Sequence, residues 1–372
     1  MKTAIVTFFD AYPAKSGAGV VIYDFFNSWP HFNKFLFQMS TKKINKKQII
    51  NTKIINNKPI YKILSLPILI FRLLKYLYNS KKKILILEGA SWILYSYIVI
   101  ISLKIFIPNI FIIYRAHNIE YEIRKKYSLF FISLITKYIE KKVFNISNIV
   151  TTVSKLEQKK ANKYYGVKTR LFPNSIRVSD FIKLKNKTVK KLPKKYILFC
   201  GSYEYRPNKS AIDYLINNIL PILIKKNIYL VLTGSLNINF NSDKVINLGY
   251  VERAQLKFLY KNAICLMATL FEGYGTRVKI IESLILQSNV ISTRKGIEGI
   301  DFYPKDKIIV TNQKKKIVKA VYHFMKLKNN KLKNNKLKNL NRTLSKYYSM
   351  ENNTNLLYKD ISNVTDYSYN HF

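Results

Sequence analysis

Short, apolar, β-branched runs alternate with helix-length segments along most of this chain, and after one basic interruption the alternation begins again. Few folds accept that pattern. In the first half, strands are expected at 3–9 (TAIVTFF), 84–88 (ILILE), 110–115 (IFIIYR) and 149–153 (IVTTV), with helices at about 18–29, 67–78, 127–144 and 155–164. Strands that are apolar throughout are buried on both faces, as in a parallel sheet between two helical layers. A further strand leads into Pro173-Asn174, and residues 176–195 (IRVSDFIKLKNKTVKKLPKK) are charged and poor in large apolar side chains, which reads as a linker. The alternation resumes with strands at 196–200, 228–232, 245–248, 263–267 and 289–292 and helices at 208–224, 252–261 and 277–288. A length of 372 residues suits two such doubly wound units better than one core. The Lys/Asn-rich segment 313–345 is locally repetitive and reads as a solvated helix or a tether, and 350–362 reads as a short helix.

The charge balance is lopsided: 64 Lys+Arg against 20 Asp+Glu, a formal +44. Coding bias towards Lys, Ile and Asn explains part of it, but the same bias would favour Glu, and acids are scarce. A surface that meets anions is therefore expected, whether lipid head groups, nucleic acid or a phosphorylated substrate. A nucleic-acid partner is disfavoured, because the aromatics (14%) fall inside apolar runs and form no basic-aromatic motif. Cys200 and Cys265 each sit in a strand-like apolar run without a metal-spaced partner, so they read as small buried hydrophobes. The start, MKTAIVTFFD, shows no export signal, and a cytoplasmic setting is expected. The run Trp92–Tyr114 is near the length of a membrane span, but Lys104 and Pro108 interrupt it. A buried helix at 91–104 followed by a buried strand fits it better.

In open α/β sheets the chemistry sits beyond the carboxyl ends of the strands, so the loops there matter most. The first, Asp10–Gly19 (DAYPAKSGAG), carries Gly17 and Gly19, which allow close backbone approach at a helix start. It lacks the GxGxxG spacing, which weakens a nicotinamide reading. The second holds His117, the one histidine of four placed at a strand end; a structural tie for the loop competes with catalysis there. The third runs from Gly201 and Ser202 to Arg206, Pro207 and Asn208, with Arg206 able to reach an anion and Asn208 a possible cap. The fourth, Phe271–Glu282, is the most informative. Its glycine turn (Glu272, Gly273, Tyr274, Gly275, Thr276) feeds a helix whose first turn holds Arg277 and Lys279. Two cations at the positive end of a helix are unfavourable unless a stronger anion, such as a diphosphate, sits there. Glu282 lies about one turn further in, where a carboxylate can accept hydrogen bonds from a ribose diol; a salt-bridged surface helix remains the plainer account.

Taken in order, these segments resemble the retaining glycosyltransferases of family 4. PAKSGAG is similar to the family's glycine loop and HNIE at 117–120 to its HNxE loop. VSKLEQKKANKYYGVKTRLFPNSI resembles its VS…YGV…PNG stretch, with Ser175 where glycine is usual. FCGSYEYRPNKSAIDYL and GTRVKIIESL resemble a variant donor site, and Tyr348-Ser349-Met350-Glu351 resembles the start of the last helix. The resemblance implies the GT-B fold, two Rossmann-like α/β domains facing across a cleft: an acceptor domain at 1–175, a linker at 176–195 and a donor domain at 196–345. The segment 346–372 would form a helix that packs back on the first domain.

It further implies a nucleotide-sugar donor, a glycan or lipid-linked acceptor, transfer with retention and a setting in cell-surface polysaccharide assembly. Arg206, Arg277 and Lys279 would neutralise the leaving diphosphate, so that no metal and no cofactor is expected. Gly17, Gly19, Gly201, Ser202, Gly275, Thr276 and Glu282 would line the donor site, and His117 would meet the transferred sugar or the acceptor. One departure stands out. The family's first donor-loop glutamate falls at Tyr274, and Glu272 is two positions off. An epimerase of the same fold is the nearest rival. The basic surface and the apolar segment 63–78 together suggest an anionic membrane surface as a further partner.

Overall fold

The computed structural model describes residues 1–14, 16–185, 187–234, 240, 242–275, 277–329 and 336–369. The chain divides into two compact units, Met1–Asn174 with Met350–Phe372, and Ser175–Ser349.

The first unit is built on seven strands: β1 (Lys2–Thr7), β2 (Lys34–Ser40), β3 (Ile49–Lys53), β4 (Lys83–Gly89), β5 (Phe111–Ala116), β6 (Ile149–Thr152) and β7 (Arg170–Leu171). They lie in the order β3-β2-β1-β4-β5-β6-β7, and every pairing is parallel. The central strands are the apolar runs read from the sequence. The strands β2 and β3 were not expected, because Gln38, Ser40, Asn51 and Thr52 interrupt their apolar character. The segment Trp92–Tyr114 forms the helix Ile93–Phe106 and leads into β5. Among the described residues no helix is long and apolar enough to cross a membrane. The expected helix at 67–78 begins earlier, as Pro59–Leu77, with Pro59 in its first turn and Pro67 inside it on the exposed side. The expected helix at 127–144 is two, Glu120–Tyr127 and Phe130–Ile146, broken at the extended Ser128. The last helix, Met350–Tyr369, packs on the helix Gly17–Ser28: Thr354 Oγ1 donates to Ser28 O at 3.0 Å, and Tyr358 stands edge-on to Trp29.

The second unit has six strands: β8 (Tyr196–Cys200), β9 (Tyr229–Thr233), β10 (Val245–Asn247), β11 (Leu266–Ala268), β12 (Val290–Ser292) and β13 (Ile308–Val310). Their order is β10-β9-β8-β11-β12-β13, again wholly parallel. The expected helix at 208–224 starts at Arg206 and opens into a π-helical turn at Leu215–Ile219, just before Pro221. Proline supplies no N–H and crowds the preceding turn, and the wider turn relieves both. Residues 176–195 include the helix Val178–Lys183, whose Phe181 is fully buried. The segment 313–345 is not a purely solvated helix or tether. It contains Lys314–Asn329, with Ile317, Val321 and Phe324 in the core at helical spacing, and Lys336–Tyr347. In each sheet the strand order reverses once, between β1 and β4 and between β8 and β11. The carboxyl ends of those strands are where a doubly wound sheet binds ligands.

Candidate functional site

In the first unit the loop after β1 is clamped to β2. Gln38 donates through Nε2 to Tyr12 O at 2.9 Å and accepts from Tyr12 N at 3.0 Å. Ser16 caps the following helix, its hydroxyl accepting from Gly19 N at 3.0 Å, so that one of the free N–H groups expected there is already used. A Cβ on Gly19 would lie 3.2 Å from Asp10 O and from Ser16 Oγ; the glycine serves the packing of its own loop. Gly17 meets nothing within 4 Å and borders open space.

His117 lies at the end of β5 and is 7% exposed. Its Nε2 is 2.7 Å from Oε2 of the fully buried Glu88, at the end of β4, while Oε1 of the same carboxylate is paired with Arg115. The Arg115 guanidinium lies against both Phe25 and Phe172, 3.7 and 4.5 Å from the ring centres, in the corner where the two rings meet edge to face. Burial pushes the Glu88 carboxyl up, but Arg115 and His117 outweigh it and hold the group below the usual carboxylate range. The next turn is fixed as firmly. The N–H groups that open the helix Glu120–Tyr127 are taken by buried carboxylates: Glu157 accepts from Ile119 N at 2.7 Å, and Glu140 accepts from Glu120 N at 2.8 Å and Tyr121 N at 2.9 Å. In a chain with only 20 acids, this concentration on one loop is a heavy investment in the position of His117. Of the two sequence readings of His117, the structural tie has its geometry in the bond to Glu88. The role of Glu88 was not foreseen. The available signal was an acid closing an otherwise apolar strand.

In the second unit β8 and β11 end side by side. Gly201 and Ser202 follow β8, and Asn208 braces them: its side-chain Nδ2 donates to Ser202 O at 2.9 Å and covers Gly201, where a Cβ would come within 2.6 Å of it. Asn208 is therefore a brace and not the helix cap, a position held by Tyr205; Arg206 is the first helical residue. The Arg206 side chain is 77% exposed, and its Nε lies 3.4 Å from Glu272 Oε1, which also accepts from Ser210 Oγ at 3.2 Å. Glu272 is thus turned to the helix that Arg206 opens. Tyr274 lies beneath Lys295 Nζ, 5.0 Å from the ring centre. Gly275 has φ +79°, a left-handed turn that a side chain would strain. Thr276 lies outside the described residues.

The helix after β11 is Val278–Ile285, with Arg277 at the N-cap position and no acid in its first turn. The Arg277 guanidinium folds back, Nη1 donating to Tyr274 O at 2.5 Å. Lys279 reaches across the strand ends: Nζ donates to Cys200 O at 2.6 Å and lies 4.2 Å from the centre of the Phe199 ring. Among the described residues neither cation has an ion-pair partner, and both stand at the positive end of a helix. Burial pulls the Lys279 ammonium down to about 7, and neighbouring Arg277 adds to the effect. Glu282, by contrast, is buried and engaged: Oε2 accepts from Tyr260 OH at 3.1 Å, and Oε1 lies 3.5 Å from Arg253 Nη2. Gly201, Ser202, Arg206, Glu272, Gly275, Arg277 and Lys279 are therefore gathered at the β8/β11 end of one sheet, and His117, Gly17 and Gly19 belong to the first unit. Among the described residues no group of three or more His, Cys, Asp or Glu is placed to hold a metal ion.

No protein-family model matches the sequence, and no curated protein matches it. Solved structures do match. Sucrose-phosphate synthase from Thermosynechococcus elongatus superposes with a TM-score of 0.72 at 12% identity, over 98% of this chain and 99% of that one. HepE from Anabaena, solved in complex with UDP-glucose, gives 0.66 at 10% identity, over 98% and 100%. The UDP-GlcNAc 2-epimerase of Methanocaldococcus jannaschii, in complex with UDP-GlcNAc and UDP, gives 0.54 at 13%, over 97% and 99%. Full-length coverage of both chains, with two parallel doubly wound sheets, establishes that this chain has the GT-B fold.

Proposed function

We propose that the protein is a glycosyltransferase that takes its sugar from a nucleotide-sugar bound at the β8/β11 end of the second unit. One observation carries this reading: Arg277 and Lys279 stand without ion pairs at the positive end of a helix. A nucleoside diphosphate placed there satisfies both cations and the helix end together. Its negative charge also raises the Lys279 pKa, so that binding recovers part of what burial of that ammonium costs. As the glycosidic bond to the diphosphate breaks, charge grows on the leaving oxygen, and fixed cations stabilise that state more than the ground state. Arg206, exposed at the neighbouring helix start, supplies a third positive group, so that no metal ion is needed. Glu282 supports the site through Tyr260 and Arg253, and by the family resemblance its place is beside the ribose. Glu272 pairs with Arg206 and orients it. His117, presented by Glu88, meets the transferred sugar or the acceptor.

The finer reading is a retaining, metal-independent hexosyltransferase of family 4 that acts on a glycan or lipid-linked acceptor in cell-surface polysaccharide assembly. It works in the cytoplasm against an anionic membrane. Support comes from the motif order and from the likeness to structures whose names record UDP-glucose or UDP. A second reading, a nucleotide-sugar epimerase, is favoured by the likeness to the 2-epimerase. Incubating the protein with a panel of nucleotide-sugars, with and without glycan acceptors, tests both. Nucleoside diphosphate released in step with acceptor glycosylation supports transfer. Release or epimerised donor without any acceptor supports the epimerase, and no turnover of any donor removes both.

A further inference from the structure

The helix Ile93–Phe106 packs against both Pro59–Leu77 and Phe130–Ile146, and all three share the core of the first unit through Leu69, Val99, Leu103 and Val143. They form one layer. A helix that covers a sheet normally turns a polar face outward, but two of these do the reverse. On Pro59–Leu77 the outward positions Ile60, Leu64, Ile68 and Phe71 recur every three or four residues, and all are exposed. On Phe130–Ile146 the outward positions are Phe130, Phe131, Leu134, Ile135 and Tyr138, with Phe130 75% exposed. Apolar rows of this length are not left to water without a partner.

The charge around them identifies the partner. Between Asp24 and Glu88 the sequence contains no acid at all, so the helix that carries the first row has no negative side chain of its own. The second row is flanked by Lys125, Lys126, Lys141 and Lys142, which are exposed, and the only acid of its helix, Glu140, points inward to Tyr121 and Tyr165. Aromatic and aliphatic side chains edged by lysines match the boundary between acyl chains and anionic head groups. A second copy of the chain fits poorly, because it would bring the same lysines face to face. We infer that the outward faces of Pro59–Leu77 and Phe130–Ile146 dock the first unit onto an anionic lipid bilayer, with the apolar row of Phe130–Ile146 inserting among the head groups. This deepens the membrane setting proposed above, on which it rests, and is independent of the donor chemistry.

The test uses the full-length protein in flotation with vesicles of phosphatidylcholine alone or mixed equally with phosphatidylglycerol. The wild type is expected to float with the mixed vesicles and to stay behind with the neutral ones. Raised salt weakens this binding without abolishing it, because the apolar contribution is not screened. The triple variant Phe131→Ser, Leu134→Ser, Ile135→Ser is expected to lose at least about tenfold in partition. Its melting temperature and its response to nucleotide-sugars should match the wild type, since the three side chains are exposed. Wild-type partition in the triple variant overturns the inference, as does equal binding to neutral vesicles. Sedimentation that shows a wild-type dimer dissociated by the triple substitution also overturns it, by assigning the face to self-association. The nucleotide-sugar response is read in the same samples, so a failure of docking and a failure of the glycosyltransferase reading are told apart.

Discussion

Replacing Lys279 by methionine is expected to make the protein more stable and less able to hold a diphosphate. The folded chain holds the Lys279 ammonium at about 7 against an ordinary 10.5. That difference of roughly 3.5 units corresponds to a ceiling of about 5 kcal/mol, at about 1.4 kcal/mol per unit. Lys279 is only partly buried, so solvent screens the site and roughly half of that ceiling is the better figure. Methionine gives up the hydrogen bond to Cys200 O and the contact with the Phe199 ring, together about 1–2 kcal/mol. The net is a gain of about 1 kcal/mol near pH 6. The sign then changes with pH. The pKa is lower in the folded state, so between about 7 and 10.5 the unfolded chain binds more protons and wild-type stability rises with pH. The advantage of methionine therefore shrinks as pH rises through this range and reverses by roughly pH 10. Urea midpoints of the two proteins at both pH values measure this, and thermal shifts with UDP measure the loss of binding. A variant that is less stable than wild type near pH 6 yet binds UDP as well refutes the reasoning, because Lys279 would then be a structural contact and not a site held ready for an anion.

Arg277→Ala and Lys279→Ala are each expected to remove most turnover while circular dichroism and the melting transition show an intact fold; unchanged rates in both would discard the assigned donor site. Glu88→Gln leaves the buried Arg115 without its counter-charge and is expected to cost about 3–5 kcal/mol in urea unfolding. Because the Glu88 carboxyl titrates below its unfolded value, the wild-type advantage is present above the ordinary carboxylate range and is lost as pH falls through the folded pKa. Asn208→Ala removes the brace on Ser202 O and is expected to cost about 1 kcal/mol and to raise KM for the donor more than it lowers kcat.

The two doubly wound units could be read from the sequence because their central strands are buried on both faces and run apolar, as in ILIL at 84–87 and YILFC at 196–200. The strands β2, β3 and β13 escaped that reading, since Gln38, Asn51 and Thr52 mix polar residues into the first two and β13 is a three-residue edge strand. Arg277 and Lys279 stood out because their charge is on the unfavourable end of a helix, a property of local sequence alone. Glu88, Tyr260 and the bracing role of Asn208 did not, because each acts through a partner that only the fold brings near. Glu88 meets Arg115 and His117 across 27 and 29 positions, and Tyr260 meets Glu282 across 22. The helix face of Phe130–Ile146 was hidden for a different reason: its apolar positions have ordinary helical spacing, and spacing alone does not say which face turns inward.

Calorimetric titration of the wild type and Arg277→Ala with a set of nucleoside diphosphates and their sugar esters tests the central claim most directly. At least one of them is expected to bind the wild type with saturable heat in the absence of metal, and that heat should disappear in Arg277→Ala. Binding of equal strength in both proteins, or none to either, would contradict the account.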